Sequence, residues 1–410
     1  MTQIPSISLR QLKSMLYVAE YRNVTRAAQA LNRSQTAITK AVSDLEAELG
    51  YTLFERTSTG MQITAYGEVI ARRIQLAAQE FDHARTAYLQ FVPESTRAKN
   101  NPVFTMDISY KRLAAIVAVH DTRSISLAAE QLDVTKTAVY NSARYLEELI
   151  GLPLFEKEPN GVSPTAYCRI LVSHIKIAFK EVRRALEDLA SIDGSTIGRL
   201  AIGTHPYTRT VLTPKVMSRM LDAYTQIEIT TQEGSYKTLE VALRSGEIDC
   251  IVGVLESTND KIDLKQEALF QDHLSVIARY DHPLHQKTDL NLADLMDYCW
   301  VLPIRKTLTR RLFDQTLAAS NIQPPKRVIE TTSASIMRGI LVDSDHLAIF
   351  SEHIIHFDEQ SKLLKALKID LPGTTRAIGV TTLQRSEPSP SLGQFLETLR
   401  VVSNEIKQVN

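Results

Sequence analysis

The sequence predicts a multidomain chain with an α part and an α/β part: two copies of a small helical unit, each followed by a long helix, and then an α/β region. Three observations support this fold class. The 410 residues suit two to four domains at ordinary domain sizes. Two N-terminal segments repeat each other at a constant offset of 101 residues. Beyond residue 198, short apolar runs alternate with helical patterns, which is typical of a mostly parallel sheet covered on both faces.

The repeat relates residues 9–67 to residues 110–168. Without a gap, 18 of the 59 aligned pairs are identical. They include Leu31/Leu132, Thr36/Thr137, Leu45/Leu146, Gly50/Gly151 and Phe54/Phe155. A period near 100 residues indicates a duplicated domain, since solenoid repeats are about 20 to 50 residues long.

Each copy continues into a long segment with an apolar stripe at helical spacing, residues 66–91 and 167–190. A helix of this length on a small domain has to bury its stripe. We expect the matching helix of a second subunit to cover it, and packing inside one chain is the alternative. The boundaries expected for the successive domains and connections are 1–65, 66–92, 93–103, 104–166, 167–192 and 198–410.

Composition excludes several classes of protein. With 44% apolar residues, and 47 basic against 47 acidic side chains, the chain has the profile of a soluble globular protein. It lacks an apolar run of the roughly 18 to 20 residues that span a bilayer, and we expect no signal peptide and no membrane partner. Three scattered cysteines predict a reducing cytoplasm rather than a disulfide framework. The zero net charge hides an asymmetry, because residues 1–100 carry 12 basic against 9 acidic groups and residues 101–196 carry 11 against 12.

The first copy contains a helix-turn-helix pattern. A short helix over residues 25–31 and a tight turn lead to Ser34, a suitable N-cap for the next helix. In that second helix the apolar residues share one face. The opposite face carries Gln35, Thr36, Thr39 and Lys40. Such side chains can hydrogen-bond base edges in a major groove. A hairpin after this helix places Arg56 where a wing contacts the phosphate backbone.

This pattern closely resembles the LysR-type transcriptional regulators of prokaryotes. The resemblance runs through residues 9–12, 27–31, 34–40, 45–50, 53–56 and 64–67. It implies a winged helix-turn-helix followed by a dimerising linker helix. It also implies DNA contacts from Ser34, Gln35, Thr36, Thr39, Lys40 and Arg56.

The second copy keeps the apolar pattern but presents different polar groups. Its outward residues are Lys136, Thr137, Tyr140, Asn141 and Arg144. At the wing, Lys157 stands between Glu156 and Glu158, and carboxylates oppose a phosphate contact. Two interpretations therefore stay open: this copy reads DNA as well, or it is a helix-turn-helix kept for assembly.

The C-terminal region lacks the sequence motifs of common enzymes. It has no GxSxG, GxGxxG, P-loop or HExxH pattern, so we expect no catalysis and no cofactor. The histidine pairs His282/His285 and His353/His356 have possible metal-ligand spacing, but no cysteine or carboxylate cluster supports them, and we expect no metal. Cys299, beside Trp300, is expected in the core, although an exposed thiol there could sense redox state.

The same region resembles the family's effector-binding domain, a two-lobed fold like a periplasmic binding protein. The matching motifs are residues 198–203, 212–214, 233–235, 243–249, 281–284, 292–295 and 300–303. In such a fold the ligand lies between the lobes at strand ends and helix N-termini. The expected effector-binding residues are Thr204, His205, Thr208, Ser235, Pro303, Arg305, Thr332 and Ser333. Their hydroxyl, imidazole and guanidinium groups suit a small anionic or hydroxylated molecule.

Together these features predict a DNA-binding transcriptional regulator that is switched by a small-molecule effector. We expect it to bind double-stranded DNA and to form a homodimer or homotetramer. The alternative is a ligand- or redox-sensing protein whose helix-turn-helix units serve mainly in assembly, and an enzyme is a more distant third.

Overall fold

The described residues form two compact units. The computed structural model describes residues 7–57, 60–93, 101–159, 161–205, 208, 210–256, 263–384 and 387–409. The N-terminal unit comprises Met1–Gly198 with Arg244–Glu247, and the C-terminal unit comprises Arg199–Leu243 with Ile248–Asn410. No helix in these described ranges is long and apolar enough to cross a membrane.

The N-terminal unit contains the same six elements twice, in the same order. The first copy consists of α1 (Leu9–Tyr21), α2 (Val24–Ala30), α3 (Gln35–Leu49), β1 (Phe54–Thr57), β2 (Gly60–Ile63) and α4 (Ala65–Tyr88). The second consists of α5 (Tyr110–Thr122), α6 (Ile125–Leu132), α7 (Lys136–Ile150), β3 (Phe155–Glu158), β4 (Gly161–Pro164) and α8 (Ala166–Ile192). This order is that of a winged helix-turn-helix with a long following helix, so the predicted fold class is confirmed for this unit.

Equivalent residues begin and end the helices of both copies. Ser34 and Thr135 cap α3 and α7 by accepting a hydrogen bond from the amide three residues on, each at 3.2 Å. Such a cap contributes about 1 kcal/mol. Both helices end at a glycine in the left-handed region, Gly50 at φ 77° and Gly151 at φ 73°, where other residues are strained. Local sequence therefore determines the ends of both second helices.

A partly buried glutamate fixes each hairpin to the helix before it. Glu46 Oε1 accepts hydrogen bonds from the amides of Leu53 (2.7 Å) and Phe54 (3.1 Å). Glu147, at the repeat offset, binds the corresponding two amides of the second copy at 2.8 and 3.2 Å. Hydrogen bonds to a charged acceptor are stronger than neutral ones. The wing is thereby held in the same place in both copies.

The long helices α4 and α8 pack against each other within one chain. Their apolar stripes are buried in a shared core that includes Ile74 and Phe81 from α4 and Leu171 and Ile175 from α8, each at most 1% exposed. The expectation that a second subunit covers these stripes is therefore wrong. The physical reason is that the duplication supplies a matching helix in the same chain, so no partner molecule has to be recruited.

The connection between the copies also contributes to this core. Residues 94–100 of the expected 93–103 linker lie outside the described residues, while Val103 at its end and Phe104 just beyond it are buried. Asp107 forms ion pairs with Lys13 of α1 (2.6 Å) and with Arg33 in the helix-turn-helix turn (2.9 Å). These ion pairs attach the segment just before α5 to the first copy.

The C-terminal unit contains two five-stranded sheets flanked by helices. Its strands are β5 (Ile197–Thr204), β6 (Gln226–Glu233), β7 (Cys250–Val254), β8 (Leu264–Asp272), β9 (Ser275–Arg279), β10 (Cys299–Leu302), β11 (Arg327–Glu330), β12 (Leu347–Phe350), β13 (Leu364–Ala366) and β14 (Arg376–Leu383). Its helices are α9 (Leu212–Ala223), α10 (Tyr236–Arg244), α11 (Leu308–Ala319), α12 (Ala334–Val342), α13 (His356–Gln360) and α14 (Pro390–Val409), with 3₁₀ turns at Pro283–Gln286, Leu292–Asp297 and Glu352–Ile355.

The two sheets define two lobes and are mixed rather than mostly parallel. The first lobe has the strand order β6-β5-β7-β14-β8, and the second has the order β11-β10-β12-β9-β13. β5 pairs with β7, and β10 pairs with β11 and β12, in parallel, as expected. β14 runs antiparallel to β7 and β8, and β9 runs antiparallel to β12 and β13. The chain passes from the first lobe to the second between β8 and β9, and it returns between β13 and β14. Strands β9 and β14 therefore enter their sheets from the other lobe, and this makes them antiparallel to their neighbours.

Candidate nucleic-acid interface and effector site

The first recognition helix, α3, has an apolar and a polar face as the spacing predicts. Ile38, Val42 and Leu45 are buried against the rest of the unit. On the opposite face the side chains of Gln35, Thr36, Thr39 and Lys40 are exposed. Ser34 is exposed as well, but its hydroxyl caps the helix by accepting the Ala37 amide. The face that is available to a nucleic acid therefore begins at the first turn of α3.

The first wing, which follows α3 in the sequence, presents an exposed arginine. Arg56 lies in β1, opposite Met61 of β2, and is exposed. Met61 N also donates to the carbonyl oxygen of Arg22 at the end of α1 (3.3 Å), which ties the hairpin to the helical core. The tip of the wing, residues 58–59, lies outside the described residues.

The second recognition helix, α7, also presents its polar residues outward. Lys136, Thr137, Asn141 and Tyr140 are exposed, the last at 43%. Arg144 is exposed too, and it lies 3.7 Å from Glu148 one turn further on. Its surface thus offers hydrogen-bonding groups, the ring of Tyr140 and two cations, of which Arg144 has an acidic neighbour.

The second wing differs from the first in charge. In β3 the side chains of Glu156, Lys157 and Glu158 are all exposed. Two carboxylates beside one ammonium group lower the electrostatic attraction for phosphate. The hairpin is nevertheless held as in the first copy, because Val162 N donates to the carbonyl oxygen of Arg123 at 3.0 Å.

The contacts between α4 and α8 relate the two copies by a local two-fold axis. Arg73 of α4 binds Glu181 of α8 at 2.9 Å. The residues 101 positions away from these two make the reciprocal contact, since His174 of α8 lies 2.7 Å from Glu80 of α4. Such exchange, in which i contacts j and j contacts i, defines an isologous interface.

The two helices run antiparallel across this interface. Tyr66, in the first turn of α4, donates to Asp193 at the end of α8 (3.1 Å). Tyr167, in the first turn of α8, packs against Phe91 just beyond α4, with ring centroids 5.3 Å apart. Each helix therefore begins where the other ends, which is the arrangement of a symmetric dimer made within one chain.

A buried ion-pair cluster lies at the centre of the same interface. Arg73 is 1% exposed and also donates to both carboxylate oxygens of Asp188, at 2.6 and 3.1 Å. Burial alone would lower the pKa of Arg73, but Asp188 and Glu181 outweigh it and raise the pKa. Sequence reasoning missed this cluster, although a charged residue within an apolar stripe, next to Ile74, was the available signal.

The first group of expected effector residues lies at the end of β5. Thr204 ends this strand and is 3% exposed, and His205 N donates to the carbonyl oxygen of Val252 in β7 (3.0 Å). Thr208 is 1% exposed and its hydroxyl donates to the same carbonyl oxygen at 3.0 Å. Thr208 therefore holds the loop that follows β5 in place. Residues 206 and 207 lie outside the described residues.

Ser235 lies at the start of α10 in the same lobe. Its side chain is exposed and accepts a hydrogen bond from the amide of Thr238 (3.2 Å), with the two hydroxyls 2.8 Å apart. This is the N-terminal position that the sequence predicts for a ligand contact.

The structure brings the remaining expected residues to one edge of the second lobe, where parallel β10 and β11 end. Pro303 is buried and accepts a hydrogen bond from Arg310 Nη1 (3.3 Å). Arg305 is 80% exposed and lies 3.6 Å from Glu330. Three hydroxyl residues, 331–333, follow β11; of the two expected to bind the effector, Thr332 is exposed and Ser333 caps α12.

Sequence reasoning missed two features of this unit. Arg310, 4% exposed, binds Glu330 at 2.9 Å beside Arg305. A buried network joins the lobes: Arg376 Nη2 donates to Asp272 Oδ2 (2.8 Å), and Ser351 Oγ donates to Asp272 Oδ1 (2.7 Å). No spacing in a single sequence indicates a pair that lies 104 residues apart.

Two of the three cysteines and one of the C-terminal histidines, His282, are buried. Cys168 and Cys250 are buried, but Cys299 is partly exposed, so the expectation that it lies in the core is wrong. It is the first residue of β10, and the other three residues of that strand are buried. Burial raises the pKa of the Cys168 thiol to about 12. His282 is buried and caps a 3₁₀ turn through Leu284 N, and burial lowers its pKa.

This geometry defines a class of protein: a DNA-binding protein with paired winged helix-turn-helix units and a two-lobed α/β ligand-binding domain. Residues 9–68 and 110–169 match the family model "Bacterial regulatory helix-turn-helix protein, lysR family", and residues 193–403 match "LysR substrate binding domain". The chain therefore belongs to the LysR family of transcriptional regulators. It is a DNA-binding regulator whose C-terminal unit binds a small-molecule effector.

Two curated relatives differ in how much of the chain they match. The HTH-type transcriptional regulator GalR of Pseudomonas putida is 32% identical over 399 residues, 97% of this chain and 98% of the relative. An alignment of that length includes both copies of the repeat. The regulator PcaQ of Agrobacterium fabrum is 26% identical over 300 residues, 73% of this chain and 96% of the relative. It is about one winged-helix unit shorter.

Solved structures share the fold at low sequence identity. A cysteine-to-aspartate variant of full-length OxyR from Pseudomonas aeruginosa has a TM-score of 0.53 at 18% identity and covers 71% of this chain and 97% of its own. Full-length CbnR complexed with its target DNA has a TM-score of 0.53 at 15% identity and covers 72% and 100%.

Proposed function

We propose that one chain reads DNA with both of its helix-turn-helix units, as an internal pseudo-dimer, and that its two half-sites differ in sequence. The reciprocal pairs Arg73–Glu181 and His174–Glu80 carry this proposal. Two-fold related DNA-binding units place their recognition helices on two-fold related half-sites. Here the units have the same fold but different contact residues.

The first copy is the main reader. Gln35 can bond an adenine edge, Thr36 and Thr39 can bond bases or contact a thymine methyl group, and Lys40 can bind guanine or phosphate. Arg56 binds the backbone from the wing. The net positive charge of residues 1–100 adds a sequence-independent attraction.

The second copy reads a different half-site with weaker electrostatic support. Asn141 pairs with adenine, Lys136 and Arg144 bind guanine or phosphate, and Tyr140 and Thr137 offer apolar contact and hydroxyl groups. The acidic wing contributes little. Because the two units are joined covalently, the second contact forms at high effective concentration even when it is individually weak.

The effector site lies at the strand ends of the two lobes. We assign ligand contacts to Thr204, His205 and Ser235 in the first lobe, to Arg305 with its neighbour Pro303, and to Thr332 and Ser333 in the second, with Thr208 supporting the β5 loop. Exposed cationic and hydroxyl groups favour a small anionic or hydroxylated molecule. Binding between lobes shifts their relative placement and so biases the regulator between two states.

The same chain acts by binding rather than by catalysis, and in the cytoplasm, where prokaryotic DNA lies. Because α4 and α8 cover each other's stripes, a homodimer or homotetramer must form through other surfaces. Light scattering of the purified chain measures that state directly.

The test of DNA reading uses the full chain and a duplex that it selects from a random library. Lys40→Ala and Asn141→Ala are compared by fluorescence anisotropy, with exposed Lys265→Ala of the C-terminal unit as the control for loss of charge. We expect each recognition-helix change to weaken binding about 5- to 100-fold, the range for one good base contact. Scrambling one half of the duplex should abolish the effect of only one of the two substitutions.

Two different negative results of this binding experiment lead to two different conclusions. If Asn141→Ala and Lys136→Ala both bind like the control while Lys40→Ala weakens binding, the second copy serves assembly alone. If Lys40→Ala also binds normally and the affinity does not fall steeply with salt, the DNA-reading assignment of both copies is wrong.

A further inference from the structure

Two glutamates occupy equivalent positions in the α4–α8 interface but have different partners. Glu181 is held by two arginines, Arg73 from the opposite helix (2.9 Å) and Arg184 from its own (2.6 Å). Glu80 lies 101 residues earlier and is 4% exposed. The same two positions around it hold histidines, His174 from the opposite helix (2.7 Å) and His83 from its own (3.4 Å).

This exchange of both arginines for histidines changes what the cluster can bind. A guanidinium has no lone pair to donate and stays charged, so the arginine cluster is a permanent ion pair. An imidazole is the commonest protein metal ligand. Glu80 and His83 are three residues apart and share one face of α4, and Glu-x-x-His is a spacing that supplies metal ligands in helical bundles.

The distances suit a small divalent ion. The ligand atoms of Glu80, His83 and His174 all lie within 4.8 Å of one another. Ligands about 2.0–2.1 Å from a tetrahedral zinc ion are about 3.3 Å apart. The two histidines approach different oxygens of the Glu80 carboxylate: His83 Nδ1 lies 3.4 Å from Oε1, and His174 Nδ1 lies 2.7 Å from Oε2. A metal bound through Oε2 would replace the hydrogen bond to His174 and move those two atoms apart by about 0.6 Å.

We propose that Glu80, His83 and His174 bind one divalent transition-metal ion of the zinc type across the α4–α8 interface. Three protein ligands leave the fourth position to water. His83, whose side chain is 43% exposed, gives the ion a route from solvent. The ion supplies at Glu80 the positive charge that two arginines supply at Glu181. It also joins the two helix-turn-helix copies, because its ligands come from both long helices.

The test is titration of the untagged, chelator-treated full chain with Zn²⁺ by calorimetry and with Co²⁺ by visible absorption. We expect one ion per chain and the absorption bands of tetrahedral Co²⁺. His83→Ala and His174→Ala should each weaken Zn²⁺ binding at least about tenfold, because each removes one of only three ligands. His120→Ala, a histidine of the same unit that pairs with Asp121, should bind like the parent chain.

A double variant keeps the test independent of folding. His83→Arg with His174→Arg rebuilds around Glu80 the arrangement seen at Glu181, so it should fold and melt like the parent chain while losing the Zn²⁺ and Co²⁺ responses. The proposal is overturned if the parent chain binds no stoichiometric ion, or if the double variant binds the ion as tightly. Stability that changes with pH but not with Zn²⁺ would also overturn it and would show a protonated histidine pair instead.

Discussion

Replacing Arg73 by methionine tests whether the buried ion cluster holds the two copies together. The side chain is 1% exposed and donates hydrogen bonds to Asp188 and Glu181, at 2.6, 2.9 and 3.1 Å. Methionine keeps an unbranched apolar stem but removes the guanidinium, so both carboxylates, Asp188 at 7% and Glu181 at 2% exposed, lose this cation. Removing one partner of a buried ion pair costs about 3–5 kcal/mol.

The expected loss lies at the lower end of that range. Arg184 still binds Glu181 at 2.6 Å, so only Asp188 loses its main buried partner, and we expect about 3 kcal/mol. Arg72→Ala is the matched control, because the adjacent Arg72 is 55% exposed and lies 4.0 Å from Asp188. An exposed pair of that kind contributes less than about 1 kcal/mol.

Two optical probes separate the units during urea unfolding. Far-UV circular dichroism follows the helices of both units, while fluorescence follows only the C-terminal unit through Trp300, the single tryptophan, which is fully buried there. A change in the circular dichroism transition that is absent from fluorescence therefore reports the N-terminal unit. Arg73→Met should shift the helical transition and leave the Trp300 transition in place. Adding Asp188→Leu should restore most of the lost stability, since an apolar replacement of a buried ion pair is often neutral or stabilising. Equal stability of Arg73→Met and Arg72→Ala would refute the reasoning.

Two further predictions concern ionisation and thiol reactivity. Burial opposes ionisation of Asp107, but the ion pair with Lys13 helps to outweigh it, so the pKa of Asp107 is lowered. A carboxyl whose pKa is lowered by folding stabilises the fold at pH values above its unfolded pKa of about 4. Asp107→Asn should therefore lose roughly 1 kcal/mol at pH 7, and the difference should shrink and vanish as the pH falls below about 4 and the carboxyl is protonated. A difference that persists at low pH would contradict this origin. Among the three thiols, Cys299 alone should react rapidly with a disulfide reagent in the native chain, because Cys168 is buried and its pKa is raised to about 12; rapid reaction of Cys168 would contradict the buried position.

Local signals made the N-terminal unit predictable. The N-caps Ser34 and Thr135, the terminal glycines and the apolar spacing act over a few residues, so their effect can be read without knowing the fold. Because the sequence repeats, each element predicted in one copy is also predicted at the equivalent position of the other. Strand β8 has no comparable local signal: Leu264–Asp272 is largely polar and partly exposed, whereas the sequence signal for a buried strand is a continuous apolar run.

Long-range pairings could not be predicted in the same way. The stripe on α4 shows that this face is buried but not what covers it, because any apolar surface of matching shape satisfies the hydrophobic effect. The network around Asp272 and the pair formed with Arg376 depend on how the chain passes between lobes. The same holds for Glu80 and His174, 94 residues apart.

The sequence by itself determined the duplication, the two helix-turn-helix units, the exposed polar faces of α3 and α7, and the α/β character of the C-terminal unit, because periodicity and capping are local. Only the tertiary structure decided that α4 pairs with α8 of the same chain, that the sheets are mixed, and that Glu80 faces two histidines where Glu181 faces two arginines. Those outcomes depend on which distant surfaces meet, and the free energy of that choice is shared among residues that no local pattern connects.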